Sequence, residues 1–334
     1  MKSTYQLVFN IKNMKINPLM LLLLFAFVNS YSQDVPQTNI SNGLVKVKIY
    51  LPDSENGYYR ATRFDWSGII PELVCNGHSY FGKWFKNYDP KVHESVMGPV
   101  EEFTQIGYEN AKVGESFLKI GVGTLVKKKE PKYRSFNLYE IRNHGKWDIS
   151  ERSNEVEFKQ ILNSDTYSYE YVKLISLPKG KSEMVLSHKF TNTGKKTIET
   201  KVYNHNFFFI DSLNIGPDYV VKFPFDIVAN KRVKGIGEFA EIEKNEIKFI
   251  KDMQEGNQVY IESITGYDIN SKEYDIIIEN KETRAGVKIH CNRPLSKLVF
   301  WSVITTVCPE PFISIKADPE ETVTWEITYT FYSY

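Results

Sequence analysis

From position 322 to 331 the chain alternates without a break: Val323, Trp325, Ile327, Tyr329 and Phe331 are apolar, and Thr324, Glu326, Thr328 and Thr330 stand between them. Successive side chains of an extended strand point to opposite faces, so a sustained period of two specifies a strand with one face buried and one wet. Similar segments occur at 44–50, 58–66, 117–125, 155–162, 167–177, 183–192, 197–209, 219–224, 257–264, 273–279, 285–290 and 297–304. Turn-forming clusters separate them, among them Lys179-Gly180-Lys181, Asn192-Thr193-Gly194, Asn214-Ile215-Gly216-Pro217-Asp218, Glu255-Gly256-Asn257 and Asp318-Pro319. No segment keeps a 3.6-residue period over three turns. The expectation is an all-β chain with too many strands for an immunoglobulin-sized sandwich. A large antiparallel double-sheet architecture accommodates them.

The N-terminus is of another kind. Residues 18–29 are nearly all apolar, Lys12 and Lys15 precede them, and Ser30 and Ser32 stand at −3 and −1 to a cut before Gln33. That is the layout of a secretory signal peptide. The alternative, a membrane anchor, needs about 20 apolar residues, and this run is shorter. The expectation is a signal peptide at 1–32 and a secreted or periplasmic product without stable membrane insertion. With no internal repeat and no low-complexity linker, 33–334 reads as one β-sandwich domain.

Loss of 1–32 removes three lysines and no acids from 42 basic and 41 acidic residues, leaving a net charge of −2. A nucleic-acid partner would need a basic excess that is absent. Cys75, Cys291 and Cys308 are too few for a disulfide framework, although one pair is able to form after export. Their spacings match no zinc motif, so no metal site is expected.

Two short stretches carry chemistry. In 198–207, Lys201, Tyr203, His205 and Phe207 share one face and Ile198 and Val202 the other, which sets His205 on a polar, aromatic-lined face. Glu310 stands between Pro309 and Pro311, whose rings fix φ. It follows the apolar strand 298–304, so it is expected in a strand-end loop. A histidine in a sheet is often purely structural and a loop glutamate is often solvated, so neither decides function alone. The stretch 78–116 is the least strand-like and is expected to form long loops over one side, where functional residues tend to collect.

Taken in order, these stretches resemble the galactose mutarotase (aldose 1-epimerase) family. Tyr59-Arg60-Ala61-Thr62-Arg63-Phe64-Asp65-Trp66-Ser67-Gly68 is similar to its opening strand and first site arginine. Tyr203-Asn204-His205-Asn206-Phe207-Phe208 is similar to its acid-histidine motif, and Cys308-Pro309-Glu310-Pro311-Phe312 to its C-terminal glutamate motif. The segment from Asp318-Pro319-Glu320 into the last strand is similar to its closing segment. The resemblance implies an antiparallel β-supersandwich with a concave groove for a carbohydrate, a monosaccharide or an oligosaccharide end. It also implies interconversion of sugar anomers without a cofactor, with Glu310 as base and His205 as acid. Opening a hemiacetal ring removes the anomeric hydroxyl proton while protonating the ring oxygen, and two groups on opposite sides of the C1–O5 unit, facing each other across the groove with pKa values near ambient pH, can do both.

Arg63 carries over as a hydroxyl-binding fork; Arg60, at odd separation from it, is expected to point away. The family's second histidine has no close counterpart, and His93 is the candidate, with His78 competing. Glu101 and Glu102 are candidate groove acids, Asp268 stands in for a central aspartate, and Trp66, Tyr80, Trp84 and Phe85 are candidate sugar-stacking aromatics. Two other functions stay open: a non-catalytic carbohydrate-binding protein on the same fold, and an accessory lyase or hydrolase for polysaccharides.

Overall fold

The C-terminal alternation becomes the strand Thr322–Ser333, with Val323, Trp325, Ile327, Tyr329 and Phe331 buried and Thr324 and Glu326 exposed. The structure is a computed structural model that describes residues 35–334, so the expected signal segment lies outside the described residues. Thr322–Ser333 lies inside a ten-stranded sheet, paired on one side with Glu183–Asn192 and on the other with Ala285–Cys291. Beyond Glu183–Asn192 come Tyr169–Ser176, Glu155–Leu162 and Lys146–Arg152; beyond Ala285–Cys291 come Tyr274–Asn280, Tyr219–Lys222, Glu246–Phe249 and Ala240–Glu243.

A six-stranded sheet covers the apolar face of this layer. Its order is Val228–Lys234, Val259–Thr265, Lys297–Val303, Thr306–Ala317, Ile198–Phe207 and Gly98–Phe103, all antiparallel. Between the sheets lies the main core, with Val202, Ile261, Leu298, Phe300, Ile313 and Ile315 from one and Tyr171, Leu186, Trp325 and Tyr329 from the other. Among the described residues there is no α-helix. This is the all-β, antiparallel sandwich that the alternation calls for.

The outer face of the six-stranded sheet is partly roofed. A four-stranded sheet (Gln37–Ser41, Val45–Tyr50, Ile69–Cys75, His78–Ser79) adds Val45, Val47, Ile49, Ile70 and Leu73 to the main core, and a three-stranded one (Ser116–Lys119, Gly123–Val126, Ile141–Asn143) buries Phe117 and Leu125 outside it. A second apolar cluster, including Tyr59, Phe64, Trp66, Val96, Phe207 and Cys308, packs loops onto that face. The remainder of the face is the floor of a groove.

Four expectations change. The segment 117–125 is not one strand but a hairpin, Ser116–Lys119 and Gly123–Val126 paired antiparallel. Residues 58–66 form a folded loop, not a strand, because their apolar residues turn into the second cluster and the backbone bonds to other segments: Asp65 N–H donates to Glu101 O at 2.9 Å and Trp66 N–H to Gly121 O at 3.0 Å. Within 78–116, the loops give way to the buried strand Gly98–Phe103, which opens on Gly98 at φ 79°; a Cβ there would lie 2.7 Å from the Ile70 Cβ. Glu310 is not in a strand-end loop but within the strand Thr306–Ala317. Prolines ordinarily disqualify a central strand because each removes a ladder donor. Here the pairing with Ile198–Phe207 stops at Tyr203–Phe312 and resumes at Phe208–Val307, bridging the proline stretch.

Candidate active site

Asn206 mends that interruption. Its side-chain amide donates to Pro309 O at 2.9 Å and to Asn204 O at 3.1 Å, and its carbonyl oxygen accepts from the Tyr329 hydroxyl at 2.9 Å. Two strands that lack part of their ladder are thereby tied at the point where His205 and Glu310 stand opposite each other. His205 Nε2 lies 3.4 Å from Glu310 Oε1, and the two side chains are 6% and 10% exposed. The distance is long for a formed N–H···O bond, so both groups retain capacity for a ligand. His205 Nδ1 is buried with no partner. The pair does not face across the groove at the width of a sugar; it sits side by side on adjacent strands.

The setting is apolar. The imidazole stacks on Phe207 with centroids 3.9 Å apart, Phe207 stacks on Trp84 at 4.8 Å, and Phe64 and Trp301 meet the imidazole edge-on at 5.8 and 5.5 Å. Burial pushes the Glu310 carboxyl up to about 8, with Arg63 and Lys297 opposing and Glu102 reinforcing. Burial, helped by the Arg63 charge, pushes His205 well below its usual range. Both shifts favour the uncharged forms, a protonated Glu310 beside a neutral His205.

Beside the pair stands a charged cluster on the same face. Arg63 Nε donates to Glu102 Oε2 at 2.7 Å and its terminal nitrogen to the Tyr203 hydroxyl at 3.2 Å; that hydroxyl donates to Glu102 Oε2 at 2.7 Å. Lys119 Nζ reaches Glu102 Oε1 at 3.3 Å. Burial alone would raise Glu102, but Arg63 and Lys119 prevail and hold it at about 2. Arg63 lies over the rings of Phe64 and Phe136, at 4.5 and 4.8 Å. A bidentate-capable guanidinium is therefore fixed at the edge of the groove.

On the reverse face of the same strands, Glu101 bonds Lys173, His188 Nε2 at 3.0 Å and Asn204 Nδ2 at 3.0 Å. Burial favours its neutral form, yet Lys173 and His188 outweigh that and hold it at about 2. Strand alternation separates the two glutamates: Glu102 serves the groove side and Glu101 the inter-sheet side.

The groove is a cavity of about 530 Å³, within the range of small-molecule sites. Arg63, Trp84, His93, His205 and Glu310 all line it. His93, lowered by burial and by Arg63, packs against Phe136 at 4.8 Å, while His78 bonds Asp211 at 2.9 Å elsewhere. Glu102 lies behind Arg63. Other expectations fail. Asp268 is exposed and accepts hydrogen bonds from Asn270 in its own turn, outside the groove. Trp66 is a core residue whose indole N–H donates to Ala61 O at 2.9 Å, and Tyr80 and Phe85 are buried in packing roles. Arg60 points away, donating to Glu55 O. All three cysteines are free and buried.

Sequence reasoning missed Phe136, Tyr260, Arg232, Lys234 and Lys297, all groove residues. Alternation within 297–304 was able to give Lys297 and Trp301 a common face; the polar edge strand Val228–Lys234 offered no apolar period to detect. A larger hollow of about 730 Å³, lined by Asn110, Arg142, Asn163, Asp165 and Lys196, gathers no buried acid–base pair. Among the described residues no three His, Cys, Asp or Glu side chains converge as a metal-ligand set.

Solved structures with the same architecture cover nearly the whole chain. An Escherichia coli K12 protein provisionally described as an aldose 1-epimerase superposes with a TM-score of 0.54 at 10% identity, over 90% of this chain and 100% of that one. A galactose mutarotase related enzyme from Lactobacillus acidophilus gives 0.53 at 11% identity, over 89% and 97%. A galactose mutarotase-like protein from Clostridium acetobutylicum gives 0.50 at 15% identity, over 91% and 100%. No protein-family model matches the chain, and no curated protein matches it significantly in sequence. At such identities the likeness is one of architecture: the chain has the galactose mutarotase-like fold.

Proposed function

We propose that this protein is an exported aldose 1-epimerase-like enzyme that interconverts sugar anomers without a cofactor, with His205 and Glu310 as its acid–base pair. The observation that carries the reading is the buried Nε2–Oε1 contact at 3.4 Å inside an aromatic groove. Mutarotation takes a proton from the anomeric oxygen and gives one to the ring oxygen. Both oxygens are bonded to one carbon and lie closer together than a hydrogen-bond length. A side-by-side pair suits them better than groups on opposite walls.

Such chemistry needs one proton in the pair. With Glu310 ionised and His205 protonated, Glu310 is the base and His205 the acid; after ring opening their protonation is exchanged. Ring closure is the same step in reverse, after rotation about C1–C2. The resting proton on Glu310 corresponds to the second of these forms, and either form is one transfer from the other. Arg63, fixed by Glu102 and Tyr203, is proposed to hold hydroxyls, with His93 beside it, and Trp84 and Trp301 to offer faces to the sugar.

Exchange spectroscopy of the anomeric protons of an aldose tests this. Cross-peaks between the two anomers that grow with protein concentration support it. Line broadening from binding, with no exchange above the spontaneous rate for any aldose tried, would replace the enzyme by a carbohydrate-binding protein on the same fold. Export is read from 1–32 alone; mass spectrometry of the protein from its native host should find a mature N-terminus near Gln33.

A further inference from the structure

The groove lining carries more cations than carboxylates. Four permanent cations line it: Arg63, Arg232, Lys234 and Lys297. Arg63 is neutralised by Glu102, and Arg232 has Glu262 at 3.4 Å. Lys234 and Lys297 belong to no ion pair among the described residues. The opposing carboxyls are few. Glu94 is largely exposed and lies 3.6 Å from His93, and Glu310 is buried, which favours its uncharged form. The whole chain, by contrast, carries a formal charge of only +1.

Sheet order fixes where these cations stand. Lys234 is on the first strand, paired with Tyr260 on the second; Lys297 is on the third, paired with Phe312 and with its Nζ 5.3 Å from that ring. Glu310 and His205 occupy the fourth and fifth strands, with Arg63 on the far side. The edge strand carries a bulge between Asn230 and Val233, where Lys231 and Arg232 both adopt positive φ, 52° and 37°. Two consecutive non-glycine residues there are strained, and a bulge of this kind re-aims side chains. Here it sits on the groove rim beside Lys234.

We propose that the groove takes an anionic sugar, whose carboxylate, sulfate or phosphate group is held by Lys234 and Lys297 with Arg232 at the rim. The proposal rests on the epimerase reading only for the position of the anomeric centre over His205 and Glu310. An ammonium on a flexible stem suits any of the three anions as a point charge. A neutral hexose would offer both ammonium groups hydroxyls and water but no compensating charge.

Isothermal titration at low ionic strength with D-glucose, D-glucuronate, D-glucose 6-sulfate and D-glucose 6-phosphate tests it. At least one anionic probe should bind roughly tenfold tighter than glucose, and about 0.5 M salt should erode that advantage. In the double variant Lys234→Gln, Lys297→Gln, with an unchanged circular dichroism spectrum, the ratio should collapse. The winning probe names the anion. Equal affinity for glucose and every anionic probe, no binding by any anionic probe, or an advantage that survives the double substitution overturns the proposal. Anomer exchange followed in the same samples separates the two ideas. Tight anionic binding without exchange removes the epimerase reading and leaves this one, and exchange without anionic preference does the reverse.

Discussion

Glu310 and His205 are perturbed in opposite directions by one cause, burial in an aromatic groove. A carboxyl that ionises near 4.5 when unfolded and near 8 when folded contributes stability that is fully present below the lower value and lost as pH rises through the higher. Glu310→Gln has no such loss. Relative to this variant, the wild-type protein should lose on the order of a few kcal/mol between pH 5 and pH 8. Urea melts of both proteins across that window check it. The proposed catalysis has its own profile: kcat/KM should fall above about pH 8 as the pair loses its shared proton, with the acid limb well below 6.5 because His205 resists a second one. His205 was legible from the sequence because strand alternation gives its face directly. Glu310 was legible as a residue and misplaced as an element, since two prolines signal a loop unless a neighbouring asparagine supplies the missing strand contact.

At the scale of elements, the site depends on how Ile198–Phe207 is held from both faces. On the groove side Arg63, Glu102, Tyr203 and Lys119 form a closed set; behind it Glu101, Lys173, His188 and Asn204 form another. Breaking a buried pair costs more than replacing it outright. Lys173→Met should therefore destabilise by roughly 3–5 kcal/mol, and adding Glu101→Gln should recover part of that loss, read from paired denaturant melts. Asn206→Ala should cost about 1–3 kcal/mol by leaving the Tyr329 hydroxyl and Pro309 carbonyl short of partners, and should slow turnover as the two strands lose their tie. None of these networks was readable in advance. Partners such as Glu101 and Lys173 lie 72 positions apart, and no local period links them. The strands Glu155–Leu162 and Glu183–Asn192, by contrast, match their apolar alternation to the residue.

For the whole molecule, the C-terminal strand is structural in the strict sense. It lies inside the ten-stranded sheet and buries Trp325, Tyr329 and Phe331 almost completely. Removing 322–334 exposes two unpaired strand edges and forfeits about 1.5–3 kcal/mol for each large side chain, which together rival the stability of a typical domain. A cooperative melt of that truncation would contradict this. The double-sheet architecture was legible because alternation ran to the chain's end, whereas the groove's cations lie on a polar edge strand with no pattern to announce them. The central claim remains the acid–base pair, and polarimetry of anomer equilibration addresses it most directly. Over a panel of neutral and anionic aldoses, wild-type protein should accelerate equilibration of at least one, and Glu310→Gln and His205→Asn should each slow it by about 10²–10⁴-fold while remaining folded. Equilibration at the spontaneous rate with every sugar, or an acceleration that both variants retain, would contradict it.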